Sequence, residues 1–180
     1  MSGPPVPYPE PALSDGRTGL RPWRDADLDC IRCAATDPAI PDGTTVPATF
    51  THAGGLAFLR RQRRRAEQGE GLSLAIVGEH DRAVGLVWLA LRPQPHVGGL
   101  GYWVIPPERG KGFASAGVRL VVPWAFAALD LQRLEAWVDP GNGASQRVLR
   151  GAGFEQEGRL RNFLTTGGRP SDALVFSIIP

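Results

Sequence analysis

Residues 109–114 read Arg-Gly-Lys-Gly-Phe-Ala, a small basic loop with glycine at 110 and 112. The loop follows the apolar run 98–105 and two prolines, and it precedes a stretch with helical pattern. Backbone approaches a ligand closely only where side chains are missing. A helix that starts at such a point turns its unpaired N–H groups toward whatever lies in front of it. These residue types in this order point to an anion site, with Arg109 and Lys111 as charge partners.

Two familiar phosphate loops fit poorly. A nucleoside triphosphate loop needs glycine five residues before its Gly-Lys pair and Ser or Thr after it. Here those positions hold Ile105 and Gly112, and no aspartate ends a strand where magnesium would sit. A dinucleotide fingerprint fares better, because Gly110 and Gly112 lie between a strand and a helix and the next strand ends in Asp139. Its third glycine is replaced by Ser115, however, and too little chain follows Asp139 to complete a doubly wound sheet.

The elements that must position this loop can be read from periodicity. Residues 18–23 suggest a first strand, 26–36 a helix capped by Asp25, and 37–48 a loop broken by prolines and glycine. A second helix spans 51–68 and carries an arginine run over 60–65, read as a solvated face or as a grip for phosphate or an acidic partner. Three apolar runs at 72–78, 83–91 and 98–105 form an antiparallel meander. A helix over 112–129 contains Pro123, which should kink it or lengthen a turn. A strand at 133–138, a short helix ending at Gly153, a strand start at 154–158, a mobile connection through 161–171 and a strand at 172–179 complete the chain. The order predicts an α/β (α+β-like) domain, a mixed sheet covered by helices.

With 180 residues, the chain suits one domain over 18–180 behind a proline-rich leader at 1–17, either flexible or strapped across the surface. A net charge of +2 gives no case for nucleic acid or an anionic membrane. Cys30 and Cys33 form a lone pair with scattered histidines, so they are expected to be reduced packing thiols rather than a metal site. No apolar run has membrane-spanning length and no signal segment opens the chain, so a cytoplasmic location is expected. A homodimer is open, with no stretch that identifies its interface.

A second block supplies the third reading of the loop. Residues 137–158, WVDPGNGASQRVLRGAGFEQEG, place Asn142 and Ser145 at a helix start and run into Gly153-Phe154. Together with GYWVIPPERGKGFA at 101–114, the chain resembles the GNAT superfamily of acyl-coenzyme A N-acyltransferases, in its RimJ/RimL-like branch. The family's loop Q/R-x-x-G-x-G/A is matched by Arg109, Gly112 and Ala114. The branch's N-x-x-S-x-x-[VL] is matched by Asn142, Ser145 and Val148, and the likeness extends over 19–179.

The resemblance implies a mostly antiparallel sheet, an acyl-CoA co-substrate (acetyl-CoA first), no metal, and a primary amine as acceptor. That amine is a protein or peptide N-terminus, or else a small molecule or antibiotic. It also implies that Arg109, Gly110, Lys111, Gly112, Phe113 and Ala114 surround the pyrophosphate. The strand Tyr102, Trp103, Val104 and Ile105 would pair with the pantetheine arm, and the sheet would splay between that strand and 133–138. Val104 N–H becomes the oxyanion donor and Ser145 the group beside the sulfur, unless Ser145 only caps its helix. Many members place a tyrosine near that point, whereas the only tyrosines here are Tyr8 and Tyr102. Asn142 would bind the amide arm or simply form the turn, and Arg147 and Arg150 would reach the ribose phosphate or remain solvated. Glu135 would accept the proton or be salt-bridged, with Asp139 as a second acid near the cleft. Two non-catalytic readings stand beside this one, an acyl-CoA sensor and a scaffold for a partner; a scaffold would show Gly110 and Gly112 packed against side chains, with no open groove in front of their N–H groups.

Overall fold

A computed structural model describes residues 3–180. Its elements are β1 (Leu13–Ser14), β2 (Gly19–Pro22), α1 (Leu28–Ala34), α2 (Ala39–Gly43), α3 (His52–Glu67), β3 (Gly71–Val77), β4 (Ala83–Leu91) and β5 (Val97–Val104). They continue with α4 (Phe113–Ala128), β6 (Arg133–Val138), α5 (Gly143–Gly151), β7 (Glu155–Thr166) and β8 (Arg169–Ile178). One sheet of eight strands results, in the order β1-β2-β3-β4-β5-β6-β8-β7. All neighbours are antiparallel except β5 and β6. The fold is therefore the mixed sheet with flanking helices that the residue pattern predicts, mostly antiparallel as the family resemblance implies.

The sheet is buried on both faces, which is why 72–78 reads as a continuous apolar run. Leu72, Leu74 and Ile76 of β3 join Val118, Val121, Val122 and Ala125 of α4 and Leu149 of α5 in one core. Ala75, Val77, Leu86 and Trp103 pack on the other face with Ile31 of α1 and Phe58 and Leu59 of α3. The proline-rich opening lies on this body: Val6 is buried and its N–H donates to the Ala66 carbonyl at 2.8 Å.

Several local expectations are corrected. The stretch 161–171 is not a loop. It is the end of β7, a turn at Gly167 and Gly168 with φ of +56° and +72°, and the start of β8. Two consecutive positive φ values make the turn that matches strand twist, and glycine supplies them without strain. The strand signal was masked by a register shift between Leu160 and Leu164, where Asn162 adopts φ 48° and its N–H donates to Asp172. Residues 37–48 hold the short α2, started by the Asp37 carboxylate accepting from Ala39 N–H. Asp25 does not cap α1; it lies within a 3₁₀ turn, and Asp27 accepts the Arg24 N–H. Helix α4 continues through Pro123. The missing N–H leaves the Arg119 carbonyl without its helical donor, and Arg119 is solvent-exposed.

In the arginine run, Arg61 donates to the Thr45 carbonyl, Arg63 pairs with Asp25, and Arg65 lies over the Trp88 ring.

One polar cluster pins β2 to the first helical turn and to the β3–β4 connection. Buried Arg21 makes a two-pronged bond to Asp27 at 2.8 and 2.9 Å and donates from Nε to Asp81 at 2.7 Å. Asp27→Ala leaves a buried guanidinium with Asp81 as its remaining carboxylate, so it is expected to cost about 2–3 kcal/mol in urea unfolding. A loss below about 1 kcal/mol would show that solvent reaches Arg21.

Candidate functional site

Strand β5 ends at Val104 and leads through the 3₁₀ turn Pro106–Glu108 into the glycine loop. Gly110 and Gly112 hold φ of +75° and +89°, and a Cβ placed on either would meet nothing within 4 Å. The space before the loop is open. Gly112 is the N-cap of α4 with no side-chain cap, and the first helical bond comes from Ala116 N–H to its carbonyl. The N–H groups of Phe113, Ala114 and Ser115 thus have no intrahelical acceptor.

The loop's two cations are already engaged. Arg109 donates from Nε to the Val104 carbonyl at 3.0 Å and pairs with Asp37 at 2.5 Å. Lys111 bonds Glu108 at 2.9 Å, and Arg82 reaches the same carboxylate. Lys111 is the main reason that the Glu108 carboxyl titrates below its usual range. Backbone N–H groups, rather than free charge, are what this loop presents.

Beside it the sheet parts. β5 and β6 share only the pairs Val97–Arg133, Gly98–Leu134 and Gly99–Glu135. Arg92 N–H donates to the Val97 carbonyl and Ile105 N–H to the Val84 carbonyl. Antiparallel ladders alternate strictly, so β5 residues 97, 99, 101, 103 and 105 direct their backbone groups to β4. Tyr102 and Val104 direct theirs into the wedge left by β6. Of the four strand residues expected to pair with an arm, only these two offer free backbone groups. Trp103 and Ile105 bond to β4 and bury their side chains in the core around α1 and α3.

Tyr102 points to the α4 face of the sheet, where its hydroxyl lies 2.7 Å from Ser145 Oγ and donates to the Ser145 carbonyl at 3.0 Å. Burial pushes the phenol up to about 12, with the Ser145 bond pulling the other way. The helix cap is Asn142, whose Oδ1 accepts Ser145 N–H at 3.0 Å. Ser145 therefore keeps its hydroxyl on the wedge side. Asp139 is occupied structurally, accepting from Ser171 at 2.5 Å, from Gly141 N–H at 2.7 Å and from Thr166 at 3.1 Å. The Ser171 bond is the main cause of its lowered pKa.

The two helix arginines differ. Arg147 is exposed with no side-chain partner among the described residues. Arg150 turns away from the wedge, over Phe176 and onto Gln156 at 2.9 Å.

Glu135 is on the opposite face. Leu134, Ala136 and Val138 are buried toward α4, so Arg133, Glu135 and Trp137 face the other way. The Glu135 carboxylate lies 3.5 Å from Arg92 and 3.5 Å from Arg133. Ser145 and Glu135 are thus on opposite faces of the sheet at the β5–β6 parting, and no bond joins them. Residue types alone did not single out the Tyr102 hydroxyl, Arg92 or Trp137. The traceable signal was parity: Tyr102 and Val104 share one face, and Gly99 and Gly101 clear the other.

Comparison with known proteins names this arrangement. Residues 17–155 match the acetyltransferase (GNAT) domain. The chain belongs to the GNAT acetyltransferase family. It is 35% identical over 133 residues to the probable N-acetyltransferase YjcK of Bacillus subtilis, covering 72% of this chain and 74% of that one. It is 42% identical over 80 residues to the uncharacterized N-acetyltransferase YoaA of the same organism, covering 44% and 45%. Alignments therefore span from under half to about three quarters of these relatives. Among solved structures, Mycobacterium smegmatis RimJ in complex with CoA-disulfide superposes with a TM-score of 0.81 at 26% identity, over 99% of this chain and 86% of that one.

The Tyr102 phenol gives a pH prediction. Its folded pKa is about 12 against an ordinary 10. A folded pKa that is raised contributes stability below the unfolded value, and that contribution is lost as pH rises through the folded one. Stability should therefore fall between pH 10 and 12, and Tyr102→Phe should flatten that part of the curve. An unchanged slope in the variant would show that the phenol is solvated.

Proposed function

We propose that the chain moves an acetyl or other short acyl group from acyl-CoA to a primary amine, and that the amine is a protein or peptide N-terminus. The observation that carries this reading is the wedge, where a strand with two unpaired N–H groups runs directly into an open, glycine-rich helix start. A diphosphate fits before Gly110 to Ala114, where each negative charge at a helix start gains roughly 0.3–1 kcal/mol. Arg109 and Lys111 add charge at the rim. The N–H groups of Tyr102 and Val104 pair with the amide arm and donate to the thioester oxygen as negative charge develops on it.

An amine attacking a thioester needs its own lone pair and no protein nucleophile. The new C–N bond forms, the C–S bond breaks, and sulfur leaves with the electron pair. Ser145 is placed to give that sulfur a proton, and the hydrogen count at Tyr102 decides whether it can. If the phenol donates to the Ser145 carbonyl, the serine proton is spent on the phenol oxygen. If the phenol donates to Ser145 Oγ, the serine proton is free for sulfur. The second arrangement makes Tyr102 and Ser145 a relay, and the tyrosine that the family resemblance asks for comes from the strand rather than from α5. Asn142 fixes the helix start that holds Ser145, and Arg147 is free to meet a ribose phosphate. Glu135 faces the acceptor side, placed to take the proton that the amine sheds. An α-amine, with a reference pKa near 8, is partly neutral at pH 7, whereas a lysine amine near 10.4 needs more help. That difference favours a terminal amine. A cytoplasmic enzyme is the setting in which acyl-CoA and such amines meet.

Gly112→Trp should fill the diphosphate space and raise the acyl-CoA Kd at least tenfold in calorimetry, with about 1–2 kcal/mol of backbone strain added to folding. Unchanged affinity would remove the loop from the site. Ser145→Ala should lower kcat about tenfold while acyl-CoA affinity stays within twofold. Thiol release with a panel of free-N-terminal peptides and small amines tests the acceptor: turnover confined to small amines would overturn the peptide reading.

A further inference from the structure

On the acceptor side of the wedge the structure leaves one guanidinium unexplained. Arg92 follows β4 immediately, and its side chain folds back across β5. A Cβ placed on Gly99 would sit 2.7 Å from Arg92 Nη2 and 2.9 Å from Cζ, so only glycine admits it. The guanidinium lies 4.0 Å over the Trp137 ring, and the side chain is 21% exposed. Its Nε is buried with no hydrogen-bond partner. The Glu135 oxygen 3.5 Å away attracts it without bonding it. Among the described residues nothing accepts from its terminal nitrogens either. Arg133, on the far side of the same Glu135, donates twice to Glu157. Buried donors in native proteins nearly always have acceptors, and an exception beside a reaction cleft suggests that the acceptor arrives with the substrate.

We propose that Arg92 recognises the acceptor, donating to the carbonyl or carboxylate oxygen on the carbon next to the reacting amine. This rests on the transferase reading above and narrows it to α-amino carbonyl compounds. The position suits it. Gly99 is the last β5 residue paired with β6, and the wedge opens immediately beyond it. Gly101 clears the next position on this face, since a Cβ there would meet Trp88 Nε1 at 1.9 Å. The floor from Arg92 toward the wedge is therefore Trp88 and Trp137, with no β5 side chain before Trp103. The polarity fits as well: the amine meets Glu135 and the oxygen meets Arg92. A plain alkylamine offers the guanidinium nothing.

The test compares four acceptors at saturating acetyl-CoA, followed by thiol release: alanyl-alanine, alaninamide, free alanine and propylamine, each at equal concentration of neutral amine. The wild-type chain is expected to use the three carbonyl-bearing acceptors at least tenfold better in kcat/KM than propylamine. Free alanine against alaninamide separates carboxylate from amide recognition. Arg92→Met should raise KM for the carbonyl acceptors about tenfold with kcat within threefold, and leave propylamine and acetyl-CoA affinity unchanged. Arg92→Lys should recover only part of the loss, since one ammonium cannot reproduce the planar fork. Equal losses for all four acceptors, or no wild-type preference over propylamine, would overturn the role of Arg92 while leaving the transferase standing. If a variant fails to fold, the wild-type comparison still overturns the proposal where no preference over propylamine is found. No thiol release with any amine would remove the transferase reading itself.

Discussion

The parting of β5 from β6 is the constraint that organises the rest. After three parallel pairs each strand keeps one neighbour and loses the other: β5 stays on β4 as far as Val104, and β6 stays on β8 as far as Val138. Unpaired backbone inside a sheet is costly, and the chain offsets part of it locally. Arg109 donates from Nε to the Val104 carbonyl. What stays unmatched is a short row of peptide N–H groups in line with the open start of α4. A ligand with amides at one end and phosphates at the other satisfies both, which is why the wedge and the glycine loop have to be adjacent.

The same parting divides labour between the two faces. Toward α4 and α5 lie Tyr102 and Ser145, with a hydroxyl pair suited to a departing sulfur in the reading proposed above. Toward α1 and α3 lie Glu135, Arg92 and Trp137, polar groups set on an aromatic floor. Alternation along β5 produces this division. Its even positions carry Leu100, Tyr102 and Val104, while 99 and 101 are glycines that let Arg92 and Trp88 lie flat against the strand. A side chain at either glycine would crowd the α1/α3 face without touching the α4/α5 face.

Much of this was legible in residue order, because the signals were local. Gly110 and Gly112 mark the loop whatever surrounds them, and the three apolar runs from 72 to 105 are a meander by spacing alone. The long hairpin was missed because its strand pattern is interrupted by a bulge at Asn162 and because almost all of β7 is solvent-exposed, so no apolar alternation announces it. The pairing of Tyr102 with Ser145 was invisible for another reason: 43 residues separate them, and only the crossing of α5 over β5 joins them. Arg92 carried no signal of its own, since its meaning depends on the absence of a side chain at Gly99 across the strand pair.

Charge at the loop closes the synthesis. The net charge is only +2, and both loop cations already hold carboxylates, Arg109 with Asp37 and Lys111 with Glu108. An anion arriving at the open N–H groups therefore meets dipoles first, and gains from the cations only as far as it shares or displaces their partners. Dipoles fixed in a backbone act at short range and are little affected by dissolved ions, whereas exposed charges weaken over a Debye length of about 8 Å at physiological salt. Recognition in such a loop rests on shape, on how closely two glycines let the main chain approach. Asp37 lies just before α2, so the Arg109 pair also ties the loop to the helices on the α1/α3 face. Through Arg109, the glycine loop, α2 and the Val104 carbonyl meet at a single guanidinium at the edge of the wedge.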